Sequence, residues 1–541
     1  MSDLFFSQLP MLVVLLPALT AVLLLLIGDG GGTPIGGHSP ASLRLARGVS
    51  IGSAGLGLLL AATLAVEAHG VAVGGDPMVY RVGDWPAPFG IVLVVDRLSA
   101  LMLMLTSCVA LPVLVYASGG WDAHGRHFHP LFQFQLMGLA GAFATGDLFN
   151  LFVFFEVLLI ASYALMLHGG GAKRLRVGVH YVVLNLVASA FFLIGVALVY
   201  ALTGTLNLAD LAQRVPLLVG PDAAVLQGAG LILLVVFGFK AAMMPLAMWM
   251  PATYAAASPP VAALFAIMTK VGVYAIIRVH GVVFGAPDAA GADGAPLVQS
   301  LLLPLALVTS VAAVLGALAA HTLPRLVAWL TVASVGTIVA ALGLFNVAGW
   351  SAGLFYLANS TLVIAAMFLL SELVASQRGE MGDRLVPALQ VHQPVLLGLM
   401  LLLGGASVAG LPPMPGFIGK LMILQASASH AWVILVWAVL LSVGLLTLVG
   451  LARAGSILFW NVHPGIEGTR SGLSKRLVAA TLALLGFATA LTVFAGPLQG
   501  YTDATARQLQ DRAAYARAVL GSPQAQPAST RPYEGRVEPA R

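Results

Sequence analysis

Four ionisable side chains lie inside long apolar runs of this sequence, and proton transfer is the chemistry they could perform. Glu156, Lys240, Lys270 and Lys420 are each surrounded by mainly apolar residues. A charge at the centre of a bilayer costs roughly 2.5–3.5 kcal/mol on insertion scales, so it is retained where it has a partner, a cavity or a function. The sequence therefore predicts a proton relay through these four residues.

Glu156 needs a cation, and Lys240 is the predicted partner. The residues beside Glu156 are Phe, Val and Leu, and its own helix offers no polar neighbour on the same face. Burial disfavours a charged lysine and a nearby carboxylate favours it. A change in the electrostatic attraction between the Glu156 carboxylate and Lys240 would thus let Lys240 bind and release a proton. The alternative is a static ion pair that locks two helices, although such pairs are poor stabilisers.

The other candidate positions carry their own alternatives. Lys270 extends the path towards the centre of the protein, unless its side chain snorkels to an interface. His180 and His280 are further candidate relay members, but both lie near helix ends, where an interfacial role is equally reasonable. Glu372 is expected at the cytoplasmic interface.

Composition indicates a polytopic membrane protein. The 541 residues are 59% hydrophobic and 9% charged, whereas soluble domains carry about 25% charged residues. Cys108 is the single cysteine, so the chain alone cannot hold a disulfide or an iron–sulfur cluster. We predict no cofactor, metal or nucleic-acid site. The cluster of His124, His127 and His129 is expected to be a solvated loop.

Apolar runs of about 20 residues predict an all-α fold with fourteen transmembrane helices. The predicted spans are 9–27, 48–68, 97–117, 131–146, 148–168, 177–202, 223–250, 259–281, 297–320, 323–346, 350–375, 392–426, 431–452 and 477–497. Residues 78–94 predict a hairpin outside the bilayer, Leu206 to Val215 a short interfacial helix, and 502–518 a helix before a disordered end.

Spans 7 and 12 are predicted to be broken, because prolines interrupt them beside Lys240 and Lys420. Irregular backbone and a charge at membrane depth are typical of an ion site in a transporter. The two lysines are five spans apart, so their helices run in opposite directions. This pattern predicts two inverted five-helix repeats, spans 4–8 and 9–13.

The predicted division of the chain follows from these spans. Residues 1–130 would hold spans 1–3 and the hairpin, 131–281 and 297–452 the two repeats, 453–499 the last span, and 500–541 a polar tail. Between these spans, the loops after odd-numbered spans contain twelve Lys or Arg residues and the loops after even-numbered spans two. The positive-inside rule then places odd loops in the cytoplasm and both termini outside.

Three stretches resemble the antiporter-like membrane subunits: residues 145–163 around Glu156, residues 238–260 around Lys240, and residues 410–420 ending at Lys420. The D subunits of multisubunit monovalent cation/proton antiporters (the Mrp or Pha type) are the best match. The proton-pumping subunits of respiratory complex I are the second choice.

The resemblance implies the fourteen-helix fold, the two repeats and a hydrophilic axis through all four charged residues. It implies that Glu156 and Lys240 form the coupling pair and that Lys270 is the central relay. Lys420 would connect to one side of the membrane or to the next subunit. The chain departs from many complex I relatives at Ser334, where those proteins have a histidine. A hydroxyl does not titrate at neutral pH, so a relay through Ser334 would need water.

The sequence thus predicts an ion transporter subunit, not an enzyme. It would be the proton-translocating subunit of a secondary Na⁺ or K⁺/proton antiporter. Other antiporter subunits would join it in a hetero-oligomeric complex of the bacterial plasma membrane. One alternative is a subunit of NADH–quinone oxidoreductase, driven by a redox partner. The other is a structural scaffold whose charges only hold helices together.

Overall fold

The computed structural model describes residues 2–28, 40–70, 77–285, 297–462 and 472–521. The α-helices of these residues are α1 (Ser2–Ile27), α2 (Pro40–Ala68), α3 (Arg97–Ala117), α4 (Phe128–Ala144), α5 (Leu148–Leu167), α6 (Ala172–Thr203), α7 (Leu208–Arg214), α8 (Gly220–Ala241), α9 (Trp249–Ala256), α10 (Pro259–Ile276), α11 (Leu297–Leu318), α12 (Leu323–Leu342), α13 (Val347–Ala375), α14 (Pro394–Ala409), α15 (Pro415–Ala426), α16 (Val433–Phe459), α17 (Lys475–Val493), α18 (Ala495–Gln510) and α19 (Arg512–Leu520). A π-helical segment, Ile277–Val283, continues α10.

The all-α membrane fold is confirmed. Within the described residues, twelve helical segments are long and apolar enough to cross a membrane. Two predicted spans fall short of that length. Residues 131–146 correspond to α4, which has 17 residues, and residues 392–426 correspond to α14 and α15. The number fourteen and the inverted repeats stay predictions.

Both predicted helix breaks are present. α8 ends because Ala242 adopts the left-handed conformation, with φ 61° and ψ 47°. A short 3-10 turn at Leu246–Met248 then leads into α9. α14 ends at Gly410, whose φ of +84° suits a residue without a side chain, and α15 begins at Pro415. The long apolar run of spans 4 and 5 is divided at Thr145–Asp147, as predicted.

The hairpin and the two predicted short helices have mixed outcomes. Strands β1 (Met78–Arg81) and β2 (Val92–Val95) pair antiparallel, which confirms the hairpin. α7 confirms the helix near residue 210, although five of its seven residues are buried. The single helix predicted for 502–518 is wrong, because the chain forms α18 and α19 with Asp511 between them. The predicted disordered end begins beyond the described residues.

Two central helices form the core around which the others pack. In α10 with its π-helical continuation and in α13, every residue of the most apolar 18-residue window is buried. Close approach makes this burial possible: a Cβ at Gly272 of α10 would lie 2.5 Å from the backbone nitrogen of Ala241 in α8. The core therefore holds Lys240 and Lys270 on directly packed helices.

A buried ion pair joins the core to the peripheral elements. Arg278, in the π-helical segment, donates to Asp96 from Nη1 at 2.6 Å and from Nη2 at 2.5 Å. Asp96 also caps α3 by accepting from the backbone nitrogen of Ser99 at 2.9 Å. The guanidinium lies 6.0 Å from the ring centre of Tyr515 in α19. These contacts fasten α3, α10 and the C-terminal helices to one another.

Candidate functional site

Glu156 lies in the third turn of α5 and bonds to a neighbouring helix. α5 begins where Asp147 accepts a hydrogen bond from the backbone nitrogen of Asn150 at 2.8 Å. The Glu156 carboxylate is partly buried, and its Oε1 accepts a short hydrogen bond from Ser189 Oγ of α6. The polar neighbour of Glu156 is therefore provided by α6 and not by its own helix.

Lys240 lies in the last turn of α8, immediately before the break. Only 6% of its surface is exposed, and its Nζ donates to Asn185 Oδ1 of α6 at 2.9 Å. The negative end of the helix dipole at the C-terminus of α8 favours a cation there. Lys240 and Glu156 form no direct ion pair in this structure: their charged atoms lie more than 4 Å apart and bond to different residues of α6, so their coupling stays a prediction.

Lys270 is fully buried in the middle of α10. None of its surface is exposed, and its Nζ has no hydrogen-bond partner among the described residues. A lysine that snorkels would bring its ammonium group to the surface, and this side chain does not reach it. An unpaired buried ammonium group is costly, so the fold retains it at the expense of stability.

Lys420 spans the second break. Its Nζ donates to Ala409 O at 2.7 Å and to Val408 O at 3.3 Å, the last carbonyls of α14. The lysine itself belongs to α15, so its side chain reaches back across the interruption. Lys240 and Lys420 thus both place an ammonium group at the C-terminal end of a half-helix, where the helix dipole favours a cation. Only the Lys420 ammonium group donates directly to the terminal carbonyls of the described half-helix.

The three additional candidates occupy different environments. His280 is buried in the π-helical segment, and neither of its ring nitrogens has a partner among the described residues. Ser334 is buried in α12 and donates to Thr331 O of its own helix at 2.8 Å. His180 lies on the exposed face of α6. The structure therefore brings His280 and Ser334 into the interior and leaves His180 on the surface.

Two important side chains were not predicted from the sequence. Asn185 and Ser189 of α6 are the direct partners of Lys240 and Glu156. The available signal was an amide within the apolar run of span 6. A similar polar contact joins the second break to the core: Ser407 Oγ of α14 donates to Asn359 Oδ1 of α13 at 2.9 Å.

A cavity of about 440 Å³ lies where the ends of α6, α9, α10 and α13 meet. Its wall includes Arg174, Glu372 and Asp383. Arg174 is held by backbone carbonyls, since its Nε donates to Ala256 O at 2.9 Å and its Nη1 to His168 O at 3.1 Å. Glu372, which was expected at the interface, is partly buried at this cavity.

The histidine cluster differs from the expected solvated loop. His129 is buried at the start of α4, and its Nε2 bonds to Asp122 Oδ2 at 3.0 Å. His124 and His127 are exposed. In the described part of the chain, no group of three or more His, Cys, Asp or Glu side chains has the arrangement of a metal site.

The chain belongs to the family of membrane subunits described as "NADH:quinone oxidoreductase/Mrp antiporter, TM". Residues 145–446 match this family, which is more than half of the chain. The matched range contains Glu156, Lys240, Lys270 and Lys420.

Two relatives have similar sequences along most of their length. The D subunit of a probable K(+)/H(+) antiporter of Rhizobium meliloti (strain 1021) is 42% identical over 475 residues, covering 83% of this chain and 87% of that protein. The D subunit of a Na(+)/H(+) antiporter of Alkalihalophilus pseudofirmus is 35% identical over 467 residues, covering 86% and 92%.

Two solved structures share the fold. A chain in the structure of the Mrp complex from Dietzia sp. DQ12-45-1b superimposes with a TM-score of 0.81 and 28% identity, over 95% of this chain and 99% of that one. A chain of respiratory complex I from Thermus thermophilus gives a TM-score of 0.75 over 92% and 99%, and its 23% identity supports the likeness of fold alone.

Proposed function

We propose that this chain is the proton-translocating subunit of a secondary monovalent cation/proton antiporter. Inward proton flow would drive the export of Na⁺ or K⁺ and so maintain cytoplasmic pH and salt concentration. The chain would act with other antiporter subunits in a hetero-oligomeric complex of the bacterial plasma membrane, with both termini outside. The D subunits named above, 42% and 35% identical, support this assignment.

The observation that carries the relay is the state of the three lysines in the interior. None of them takes part in an ion pair between the described residues. Lysines that only hold helices together would require oppositely charged partners, because an isolated buried charge destabilises a protein. Lysines that bind and release protons would instead need neutral, polar or hydrated surroundings, and these are what Lys240 and Lys420 have.

In the proposed relay, Glu156 and Lys240 form the coupling pair and Lys270 is the central carrier. Lys420 would pass protons to one side of the membrane or to a neighbouring subunit. His280 and Ser334 are candidate intermediates, with water beside Ser334. His180 is the weakest candidate, since its side chain is exposed.

The test is cation/proton exchange by the whole complex with Lys240→Ala or Glu156→Ala. Either change should abolish exchange while the complex still assembles, because each removes one half of the coupling pair. Lys475→Ala, at the exposed start of α17, should leave exchange unchanged. Wild-type exchange in the Lys240 or Glu156 variant would refute the relay.

The alternative is a proton-pumping subunit of NADH–quinone oxidoreductase. Its support is the shared fold of the complex I chain. Such a subunit would transport protons only while a redox partner is turning over. Copurifying flavin and iron–sulfur clusters would favour this alternative over secondary exchange.

A further inference from the structure

Two polar residues one turn apart on α6 contact the two charged members of the coupling pair separately. Asn185 accepts a hydrogen bond from Lys240 Nζ at 2.9 Å, and Ser189 donates to Glu156. Four residues separate the two positions, which therefore lie on one face of the helix, about 6 Å apart in rise. Both are buried, with exposures of 1% and 7%.

The Asn185 amide is fixed in the orientation that Lys240 requires. Its Nδ2 donates to Tyr181 O at 2.8 Å, so the acceptor Oδ1 is the atom left for the ammonium group. The Tyr181 carbonyl belongs to the backbone of α6 itself, so the helix holds the acceptor in place. This contact indicates that Asn185 is a pre-arranged partner for Lys240.

Both charges are satisfied by neutral dipoles instead of by each other. An amide oxygen or a hydroxyl attracts a charge less strongly than an opposite charge does. Lys240 could therefore leave Asn185 for Glu156 without breaking an ion pair. Because both neutral partners belong to one rigid face of α6, they also hold the charged groups apart in a defined arrangement.

We propose that Asn185 and Ser189 are positioning residues that give Lys240 two alternative partners. In one position Lys240 bonds to Asn185 while Ser189 holds Glu156. In the other, Lys240 bonds to Glu156 and retains its proton. The inference rests on the proposed relay and adds to it the two residues that hold Glu156 and Lys240 apart.

The direction of a pH effect can be assigned because one carboxylate dominates the surroundings of Lys240. The titratable groups of the described helices around it are Glu156 and Tyr163 of α5, Tyr254 of α9, Lys270 and Tyr274 of α10, and Arg278 and His280 of its continuation, while α11 contributes none. Those of α6 are Lys173, Arg174, Arg176, His180, Tyr181 and Tyr200, and α8 itself adds Asp222 at its opposite end. Glu156 is the carboxylic acid nearest to Lys240 among them. Closer pairing with Glu156 would therefore keep Lys240 protonated up to a higher pH.

The test is the pH profile of Na⁺ and K⁺ exchange by the complete complex in everted vesicles. In Asn185→Leu, Lys240 loses its neutral partner and turns to Glu156. The profile should move to alkaline pH by about one unit, and exchange at the wild-type optimum should fall about tenfold. A merely structural contact predicts the opposite sign, because loss of an acceptor alone disfavours the ammonium form.

Further variants keep the test decisive if Asn185→Leu fails to assemble. Ser189→Ala frees Glu156 for Lys240 and should also shift the profile to alkaline pH, whereas Ser189→Thr retains the hydroxyl and should behave as wild type. Ser310→Ala is the matched control, since it removes a buried hydroxyl that donates to Ala306 O within its own helix.

The outcomes separate this inference from the proposed function. An alkaline shift in Asn185→Leu, or in Ser189→Ala where the first does not assemble, supports the positioning role. An unchanged or acid-shifted profile overturns it. Lys240→Ala is measured alongside: exchange that survives in that variant refutes the proposed function. Exchange lost there, with no alkaline shift in the α6 variants, refutes the positioning role alone.

Discussion

Lys270 is the residue whose place in the proposed relay would cost the fold most stability. Its side chain is completely buried and its ammonium group has no protein partner among the described residues. A residue kept for packing would be an apolar side chain of similar length. Lys420 is different, because its ammonium group satisfies two backbone carbonyls at the second break.

These two lysines should therefore respond differently to replacement by methionine. Lys270→Met removes an unpaired buried charge at nearly constant volume, so stability should stay the same or rise by ~1 kcal/mol while exchange is lost. Lys420→Met leaves two carbonyls without their donor and should cost ~1–3 kcal/mol. Thermal unfolding of the purified complex and exchange in vesicles measure both effects. Equal destabilisation by the two changes would contradict this account.

The four charged residues of the candidate site stand out in the sequence, but their hydrogen-bond partners do not. Glu156, Lys240, Lys270 and Lys420 stand out because a charge in an apolar run is rare and costly. Asn185 is less conspicuous, since an uncharged amide in a span costs far less and has many structural uses. Which of several polar side chains contacts Lys240 depends on how α6 packs against α8, and no local pattern specifies that rotation.

At the scale of elements, the segment between α3 and α4 is attached to α2 by one buried carboxylate. Asp122 accepts hydrogen bonds from Arg47 Nε at 2.6 Å and Nη2 at 2.7 Å, and from His129 at 3.0 Å. Burial alone would raise the pKa of Asp122, but the hydrogen bonds from Arg47 and His129 outweigh burial and lower the pKa to about 2. The carboxylate form is therefore strongly favoured in the folded protein.

This lowered pKa predicts a pH-dependent contribution to stability. The unfolded chain has an ordinary aspartate pKa near 4, so the contribution is complete above about pH 4 and disappears as pH falls to about 2. Asp122→Asn should cost ~2 kcal/mol at neutral pH, and its difference from wild type should shrink below about pH 4. Thermal unfolding across this pH range measures it, with the exposed Asp84→Asn as control. A difference that stays constant with pH would argue against the assignment.

Helix breaks were easier to predict than helix ends and short helices. Proline removes a backbone donor, so the interruptions after Lys240 and before Lys420 follow from the sequence. The C-terminal segment lacks such a marker. Its division into α18 and α19 at Asp511, and the burial of α7, depend on packing against other elements. Likewise, His129 is buried and bonds to Asp122. The sequence of the histidine cluster had predicted a solvated loop instead.

At the scale of the whole molecule, the distribution of positive charge predicts the orientation in the membrane. Arg81 follows an even-numbered span and Lys173 an odd-numbered one, and both side chains are exposed. Since Cys108 is the single cysteine, Cys108→Ala provides a background for single-cysteine labelling. A membrane-impermeant maleimide should label Arg81→Cys in intact cells and Lys173→Cys only after permeabilisation. The reverse pattern would invert the proposed topology.

In the proposed function, the buried lysines carry protons in secondary exchange, without a redox reaction. The most direct measurement is Na⁺/H⁺ and K⁺/H⁺ exchange in everted vesicles from an antiporter-deficient host that expresses all subunits. Wild type and Lys240→Ala are compared with respiratory inhibitors present. We predict exchange by wild type that is insensitive to the inhibitors and absent in Lys240→Ala. Proton transport that requires NADH and stops with the inhibitors would contradict the claim and place this chain in a respiratory complex.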